Sequence, residues 1–195
     1  MPNFYYPLGV QTVLPPGYRN NTGFSSQLNA LKNAGYDNVE LNIADPSKVE
    51  LNDVIEYLSQ YGLSFNGFAS GLTAKTFGFS LSHQDEEIRR KSMKKIREII
   101  DFLQGNSGIG IILGYFKGLA GMDAEEARSR LILSLEELAP YAEEKKVNLV
   151  VEAINRYENS IGRSLEETAG IVTAIGSPFV RMLPDTFHMN IEEAD

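Results

Sequence analysis

Two acidic strand ends are the positions in this sequence where chemistry is most readily placed. The first is Glu152, which follows the apolar run 149–151. A carboxylate inside a buried strand is costly unless it is paired or bound to a cation. The residues alone leave two interpretations open. Glu152 is either part of a structural ion pair, with Arg156 as the candidate partner, or a functional carboxylate.

The second strand end is Asp185, and His188 follows it three residues later. Aspartate and histidine are common ligands of divalent metals. Neighbouring strands lie about 4.8 Å apart, so side chains at their ends can reach one ion. Two carboxylates make a hard oxygen site, which suits Mg²⁺ or Mn²⁺ better than copper. We therefore predict a cation shared by Glu152 and Asp185, with further ligands from elsewhere. The other histidine, His83, is expected at the surface.

The elements that would position these residues alternate between strand and helix. Six segments are rich in β-branched and aromatic residues and are predicted as strands: 6–10, 38–43, 63–69, 108–113, 148–154 and 180–184. Most are continuous apolar runs, which are typical of a parallel sheet covered on both faces. In parallel α/β folds, functional groups lie at the carboxyl ends of such strands.

Helical periodicity fills the segments between the strands, and polar residues mark where helices should begin. Ser82 and Asp85 precede a long amphipathic stretch in a capping spacing. Asp123 opens a second helix, which Pro140 should end or kink. Ser164 begins a Ser-x-x-Glu capping box. The result is a repeated strand–helix unit of about 30 residues or more, as βαβ units need.

Two architectures fit this repeat, an open doubly wound sheet and a closed barrel. Periodicity alone does not choose between them. A glycine-rich phosphate loop would favour the open sheet, but neither G-x-G-x-x-G nor G-x-x-x-x-G-K-[ST] occurs in the sequence. Gly108, Gly110 and Gly114 lie in and after a predicted strand with the wrong spacing for such a loop.

Composition narrows the class of protein. The chain has 195 residues, a net charge of −8 and no cysteine. This fits one globular domain and excludes disulfides, thiolate nucleophiles and cysteine-held metals. The acidic balance argues against nucleic-acid binding, and no apolar run is long enough to span a bilayer. We expect a cytoplasmic protein that binds neither nucleic acid nor membrane.

The stretches 151–158 (VEAINRYE) and 185–193 (DTFHMNIEE) resemble the xylose-isomerase-like superfamily of sugar phosphate isomerases and epimerases. Within it, they are most similar to the ketose 3-epimerases that act on D-tagatose or D-psicose. The resemblance implies an α/β protein with the (β/α)₈ TIM-barrel fold. It also implies one divalent ion, Mn²⁺, Mg²⁺ or Co²⁺, at the carboxyl-terminal mouth of the barrel.

The same resemblance implies a role for individual residues. Glu152 matches a metal ligand that also serves as an acid/base carboxylate, and Asp185 matches a second ligand. His188 matches a residue that hydrogen-bonds a substrate oxygen, and Glu158 matches a substrate contact. Three residues are assigned to the hydrophobic rim of the substrate site: Phe68, Leu113 and Phe116. Lys117 departs from the family pattern, which often has arginine there, and the two side chains differ in hydrogen-bond geometry.

The implied reaction is proton transfer through a cis-enediolate on a ketose, with no nucleotide cofactor. The expected partner is a small sugar or sugar phosphate, and a homo-oligomer is left open. Two enzymes of the same superfamily, inosose dehydratase and hydroxypyruvate isomerase, remain alternatives. The endonuclease-IV-like branch needs more histidines and a basic groove than this chain offers. A non-catalytic fragment that lacks half of the metal site is the alternative from a different class.

Length is the largest departure from the family. Barrels of this kind need about 250 residues, and residues 1–195 are interpreted as one incomplete TIM-barrel domain, truncated to about six strands and five helices. The family's remaining metal ligands, a His and a Glu on the last two strands, have no counterpart here, and neither does its second acid/base carboxylate. We expect the parent protein to be an isomerase and the 195 residues alone to show little or no turnover. Activity near that of a full-length relative would show this to be wrong.

Overall fold

A computed structural model describes residues 6–106 and 108–193 of the chain. The described residues contain one sheet of six strands: β1 (Gly9–Val13), β2 (Asn38–Asn42), β3 (Ser64–Ala69), β4 (Gly110–Leu113), β5 (Asn148–Glu152) and β6 (Val180–Leu183). Every neighbouring pair is parallel, and the spatial order follows the chain from β1 to β6. A doubly wound sheet reverses its strand order at a switch point, whereas a TIM barrel does not. The strand order therefore confirms the barrel-type fold.

Seven α-helices lie within the described residues: α1 (Thr22–Asn33), α2 (Leu51–Ser59), α3 (Gly71–Phe77), α4 (Glu86–Leu103), α5 (Ala124–Lys145), α6 (Leu165–Ile175) and α7 (Thr186–Glu192). Five of them correspond to the helices that the sequence predicted. The two additional helices, α3 and α7, have seven residues each and directly follow β3 and β6. Helices this short present two turns at most, so they carry no long apolar stripe that periodicity could detect.

Three of the polar residues predicted at helix starts cap their helices, whereas Ser82 does not, because the N-cap of α4 is Asp85. The side chains of Asp85, Asp123 and Ser164 each accept a backbone N–H bond at the beginning of α4, α5 and α6. Pro140, which was expected to end or kink its helix, does not end it, because α5 continues to Lys145. Pro140 lies on the exposed side of α5, where the carbonyl that loses its N–H partner can bind water instead.

Two strands begin two or more residues later than predicted. The first strand was predicted at 6–10 and is observed at Gly9–Val13, where it pairs residue by residue with β2. Its polar residue Gln11 obscured the strand in the sequence, although the side chain is satisfied by a 2.6 Å hydrogen bond to Glu40. β4 begins at Gly110 rather than at 108. Gly108 has a φ of +97°, a left-handed conformation that does not fit the extended ladder.

The strands have two different faces. Side chains directed away from the barrel interior are fully buried with the apolar stripes of the helices, and those on β2, β4 and β5 are Val39, Leu41, Ile111, Leu113, Leu149 and Val151. Alternate residues point to the opposite face. There the Asn42 amide donates to Gln11 Oε1 at 2.9 Å, and Gln11 donates to Glu40. The core thus lies between sheet and helices, and the inner face carries polar groups together with apolar residues such as Ala69 and Ile112.

The described helices include none that is both long and apolar enough to cross a membrane.

Candidate active site

The strand ends bring Glu152, Asp185 and His188 together. Glu152 is the last residue of β5 and pairs with Leu183 of β6, and Asp185 comes two residues later. One potential ligand atom from each of the three side chains lies within 4.8 Å of the others. All three line one cleft of about 440 Å³ at the carboxyl ends of the strands. The proximity expected from adjacent strand ends is therefore present.

The surroundings of Glu152 disfavour the ionised form of its carboxyl group. Burial, as the largest cause, and the neighbouring Asp185, Glu40 and Glu158 carboxylates together raise the pKa of its carboxyl group to about 7. The charge of Lys117 acts in the opposite direction. A carboxylate that is half-buried among three others is stabilised by any cation that enters the cleft.

The alternative interpretation of Glu152, an ion pair with Arg156, is wrong. The Arg156 guanidinium donates to Glu192 Oε1 at 2.8 Å, and the Arg156 backbone N–H donates to the same oxygen. These bonds tie the loop after β5 to α7 and leave the Glu152 carboxylate to the cleft. Arg156 therefore holds the backbone around the site together and does not neutralise it.

Lys117 is a second buried charge beside Glu152. Its side chain is fully buried, and its ammonium group donates to the backbone carbonyl of Glu152 at 2.8 Å. Burial lowers the pKa of this ammonium group to about 7. A lysine with one flexible stem can make this single bond, whereas a guanidinium fork would bring several donors into the same space. Lys117 thus holds the backbone at the end of β5 through this hydrogen bond. Its position in the sequence did not indicate this role.

Gly114 provides the space that the Glu152 carboxylate occupies. A Cβ atom at position 114 would overlap Glu152 Oε2 and would come within 3.1 Å of Ile154 Cδ1. Its spacing in the sequence excluded Gly114 from a phosphate loop and did not indicate this role. The signal that could have identified it was its place directly after a strand, where a glycine often permits close approach.

Glu158 and His188 are joined by a buried amide. Asn155 is 1% exposed, and its Nδ2 lies 2.7 Å from His188 Nδ1 and 3.1 Å from Glu158 Oε1. The other Glu158 oxygen accepts a 2.5 Å bond from the Tyr115 hydroxyl. This bond is the main cause that lowers the pKa of Glu158, and it raises the pKa of Tyr115 to about 12. Glu158 therefore faces the cleft as an ionised carboxylate.

The predicted hydrophobic rim requires correction. Phe68, Leu113 and Phe116 are fully buried in the core and do not line the cleft. The Phe68 ring packs edge-on against Phe102 of α4, with centroids 6.1 Å apart. Alternation along a strand sends adjacent side chains to opposite faces, and the cleft is lined by their neighbours Ala69, Ile112, Gly114 and Tyr115.

A matched pair of leucine truncations tests this correction. Leu113 is fully buried and Leu133, on α5, is 53% exposed. We expect Leu113→Ala to lower the free energy of unfolding by about 2–5 kcal/mol, whereas Leu133→Ala changes it by about 0.5 kcal/mol or less. Urea denaturation measures both. If the Leu113→Ala variant keeps the stability of the wild type, Leu113 lies at the surface of the cleft and not in the core.

Comparison with known proteins assigns the fold to a family. The model of the xylose isomerase-like TIM barrel matches residues 28–195. The chain is 31% identical to a D-psicose 3-epimerase of Enterocloster bolteae over 83% of its length, and 29% identical to an L-ribulose 3-epimerase of Methylomonas sp. over 82%. A solved structure of an L-ribulose 3-epimerase superposes with a TM-score of 0.76 at 20% identity, over 96% of this chain and 63% of that one. The chain spans 56% of the length of each of the two curated relatives.

Proposed function

Because the chain belongs to the xylose isomerase-like TIM-barrel family, we propose that the whole protein is a metal-dependent sugar epimerase that acts on ketoses. The observation that carries the proposal is the convergence of Glu152, Asp185 and His188 on one cleft at the carboxyl ends of parallel strands. In this fold the carboxyl-terminal mouth is where active sites lie. The relatives named above, which are 3-epimerases of D-psicose and L-ribulose, support the choice of reaction.

The residues present fit a divalent cation. Glu152 and Asp185 offer hard carboxylate oxygens, which suit Mn²⁺, Mg²⁺ or Co²⁺. Burial, and then the nearby carboxylates, raise the pKa of Glu152, so a cation in the cleft would stabilise its ionised form. When bound, such a cation supplies Lewis-acid polarisation of a substrate carbonyl. We assign Glu152 and Asp185 to hold it, and Asp185 Oδ1 also accepts the backbone N–H bonds of Phe187 and His188.

Glu152 is the acid/base group of the proposed mechanism. The reaction removes a proton from the carbon beside the carbonyl, proceeds through a cis-enediolate, and returns a proton to the opposite face. In the cation-free site the pKa of Glu152 is raised to about 7, and a bound cation would lower it, so that Glu152 would be ionised and able to accept the proton. Inversion needs a second group on the opposite face, and we assign no described residue to that step.

His188 and Glu158 orient the substrate in this proposal. Both line the cleft with Glu152 and Asp185. Glu158, as a carboxylate, accepts hydrogen bonds from sugar hydroxyls, and His188 contacts a substrate oxygen. The two residues share the buried amide of Asn155, so their relative position is fixed before a substrate binds. Preorganised contacts of this kind lower the cost of orienting the substrate.

A ketose screen in D₂O tests the proposed function. The whole protein is incubated with Mn²⁺ and D-fructose, D-psicose, D-tagatose or L-ribulose, and NMR follows epimer formation and deuterium uptake at C3. We expect at least one ketose to acquire deuterium at C3, and we expect EDTA to stop the uptake. If no ketose exchanges its C3 proton in the presence of Mn²⁺, the assignment as a ketose 3-epimerase is wrong.

A further inference from the structure

We propose that Asn155 is a positioning residue that holds His188 in one tautomer, with the ring proton on Nε2 and the lone pair on Nδ1. His188 is then a hydrogen-bond donor toward the cleft and does not ligate the cation. The part of this inference that concerns a substrate oxygen rests on the proposed function. The tautomer itself does not, because it follows from contacts within the chain.

The orientation of the Asn155 amide is fixed by two partners whose roles are unambiguous. Asn155 Oδ1 accepts a 2.9 Å bond from the backbone N–H of Tyr157, which can only donate. Asn155 Nδ2 lies 3.1 Å from Glu158 Oε1, and an ionised carboxylate can only accept. Rotating the amide by half a turn would oppose Oδ1 to the carboxylate and Nδ2 to the N–H. Both contacts therefore require Nδ2 as the donor.

The same Nδ2 group lies 2.7 Å from His188 Nδ1. Since Nδ2 donates, Nδ1 must accept, and a neutral imidazole that accepts at Nδ1 carries its proton on Nε2. The hydrogen bond on one ring nitrogen thus decides which atom the other presents. Asn155 is 1% exposed, so water does not replace it as a partner for the ring.

This tautomer gives His188 a role different from that of the two carboxylates beside it. A metal ligand needs a nitrogen lone pair, and the Nδ1 lone pair is engaged by Asn155. Nε2 bears a proton and can only donate. Although the three side chains come within 4.8 Å of one another, the cation is left to Glu152 and Asp185. His188 is left to donate a hydrogen bond to an oxygen acceptor in the cleft.

Nitrogen NMR of the 195-residue chain tests the inference directly. The chain has two histidines, so a His83→Gln variant assigns the remaining ring to His188. At about pH 8, two-bond proton–nitrogen spectra distinguish a protonated ring nitrogen from an unprotonated one. We expect protonated Nε2 and unprotonated Nδ1 in the wild-type chain. Addition of Zn²⁺ should leave this pattern unchanged.

Asn155→Asp is the discriminating variant. Its carboxylate cannot donate and accepts instead, so Nδ1 should acquire a proton in this variant. Circular dichroism checks that the variant is folded. A wild-type His188 with its proton on Nδ1 overturns the proposal, as does a folded Asn155→Asp variant with Nδ1 still unprotonated, or coordination of Zn²⁺ by Nε2. If Asn155→Asp does not fold, the wild-type spectrum and the Zn²⁺ titration decide. None of these measurements needs a substrate, so they separate this inference from a failed ketose screen.

Discussion

Replacing Glu152 by glutamine is expected to abolish Mn²⁺ binding and, in the same variant, to stabilise the metal-free chain at pH 8. Glutamine keeps the size of the side chain but offers no negative charge to a cation. Loss of this ligand leaves only the Asp185 carboxylate of the assigned pair, too little for a site that holds Mn²⁺. Isothermal titration with Mn²⁺ measures the loss.

The gain in stability follows from the raised pKa of Glu152. Burial first, and the nearby carboxylates second, raise this pKa from 4.5 to about 7. Because the folded state binds the proton more tightly, the contribution of Glu152 is fully present below about pH 4.5 and is lost as the pH rises through about 7. Each pKa unit corresponds to about 1.4 kcal/mol, so we expect Glu152→Gln to raise the free energy of unfolding at pH 8 by about 1–3 kcal/mol.

Urea denaturation in EDTA at pH 8 and pH 4.5 measures this effect, and the difference between variant and wild type should shrink at the lower pH. The control is Glu144→Gln on α5, whose side chain is 67% exposed. It should change neither Mn²⁺ binding nor, by more than about 0.5 kcal/mol, stability. A Glu152→Gln variant that is destabilised at pH 8, or that binds Mn²⁺ as the wild type does, contradicts the electrostatic description of the site.

Gly114→Ala is expected to weaken Mn²⁺ binding without removing any ligand. The added methyl group would overlap Glu152 Oε2, so the carboxylate must rotate away from its place beside Asp185. Displacing a ligand through its surroundings typically costs about 10–100-fold in metal affinity, and overpacking costs about 1–3 kcal/mol in stability. We therefore expect Gly114→Ala to lower Mn²⁺ affinity by about 10–100-fold and the free energy of unfolding by about 1–3 kcal/mol.

The matched control is Gly170→Ala in α6, where the nearest atom to an added Cβ is Arg128 Nη2 at 3.9 Å. In a helix interior this change is neutral or stabilising by about 0.5–1 kcal/mol, and it should leave Mn²⁺ affinity unaltered. Titrations of both variants at pH 8 make the comparison. Equal Mn²⁺ affinity in the two variants would show that Gly114 does not shape the cation site.

The sequence predicted the strand–helix order because the relevant signals are local. A capping residue such as Asp123 or Ser164 interacts within three or four positions of itself, and the apolar run of β4 is short and continuous. This continuity explains the error at Leu113, whereas at Phe68 a register shift between β2 and β3 interrupts the alternation along the strand. A strand that is apolar at every position does not reveal which residues face the helices and which face the barrel interior.

The rest of the site depends on contacts between distant parts of the chain. Lys117 is 35 positions from Glu152, and Asn155 is 33 from His188. Periodicity within a segment carries no information about such pairs. Glu152 and Asp185 could be paired in advance only because both follow adjacent strands, whose carboxyl ends meet at one edge. The donor and acceptor roles around His188 required the positions of all three partners of the Asn155 amide.

Anomalous diffraction at the manganese absorption edge, from crystals of the chain grown with Mn²⁺, tests most directly whether Glu152 and Asp185 bind one cation. We predict a peak at the carboxyl ends of β5 and β6, at coordinating distance from one carboxylate oxygen of each residue and not from a ring nitrogen of His188. A map with no peak between these two carboxylates at saturating Mn²⁺, or with manganese bound only elsewhere, would contradict the shared site.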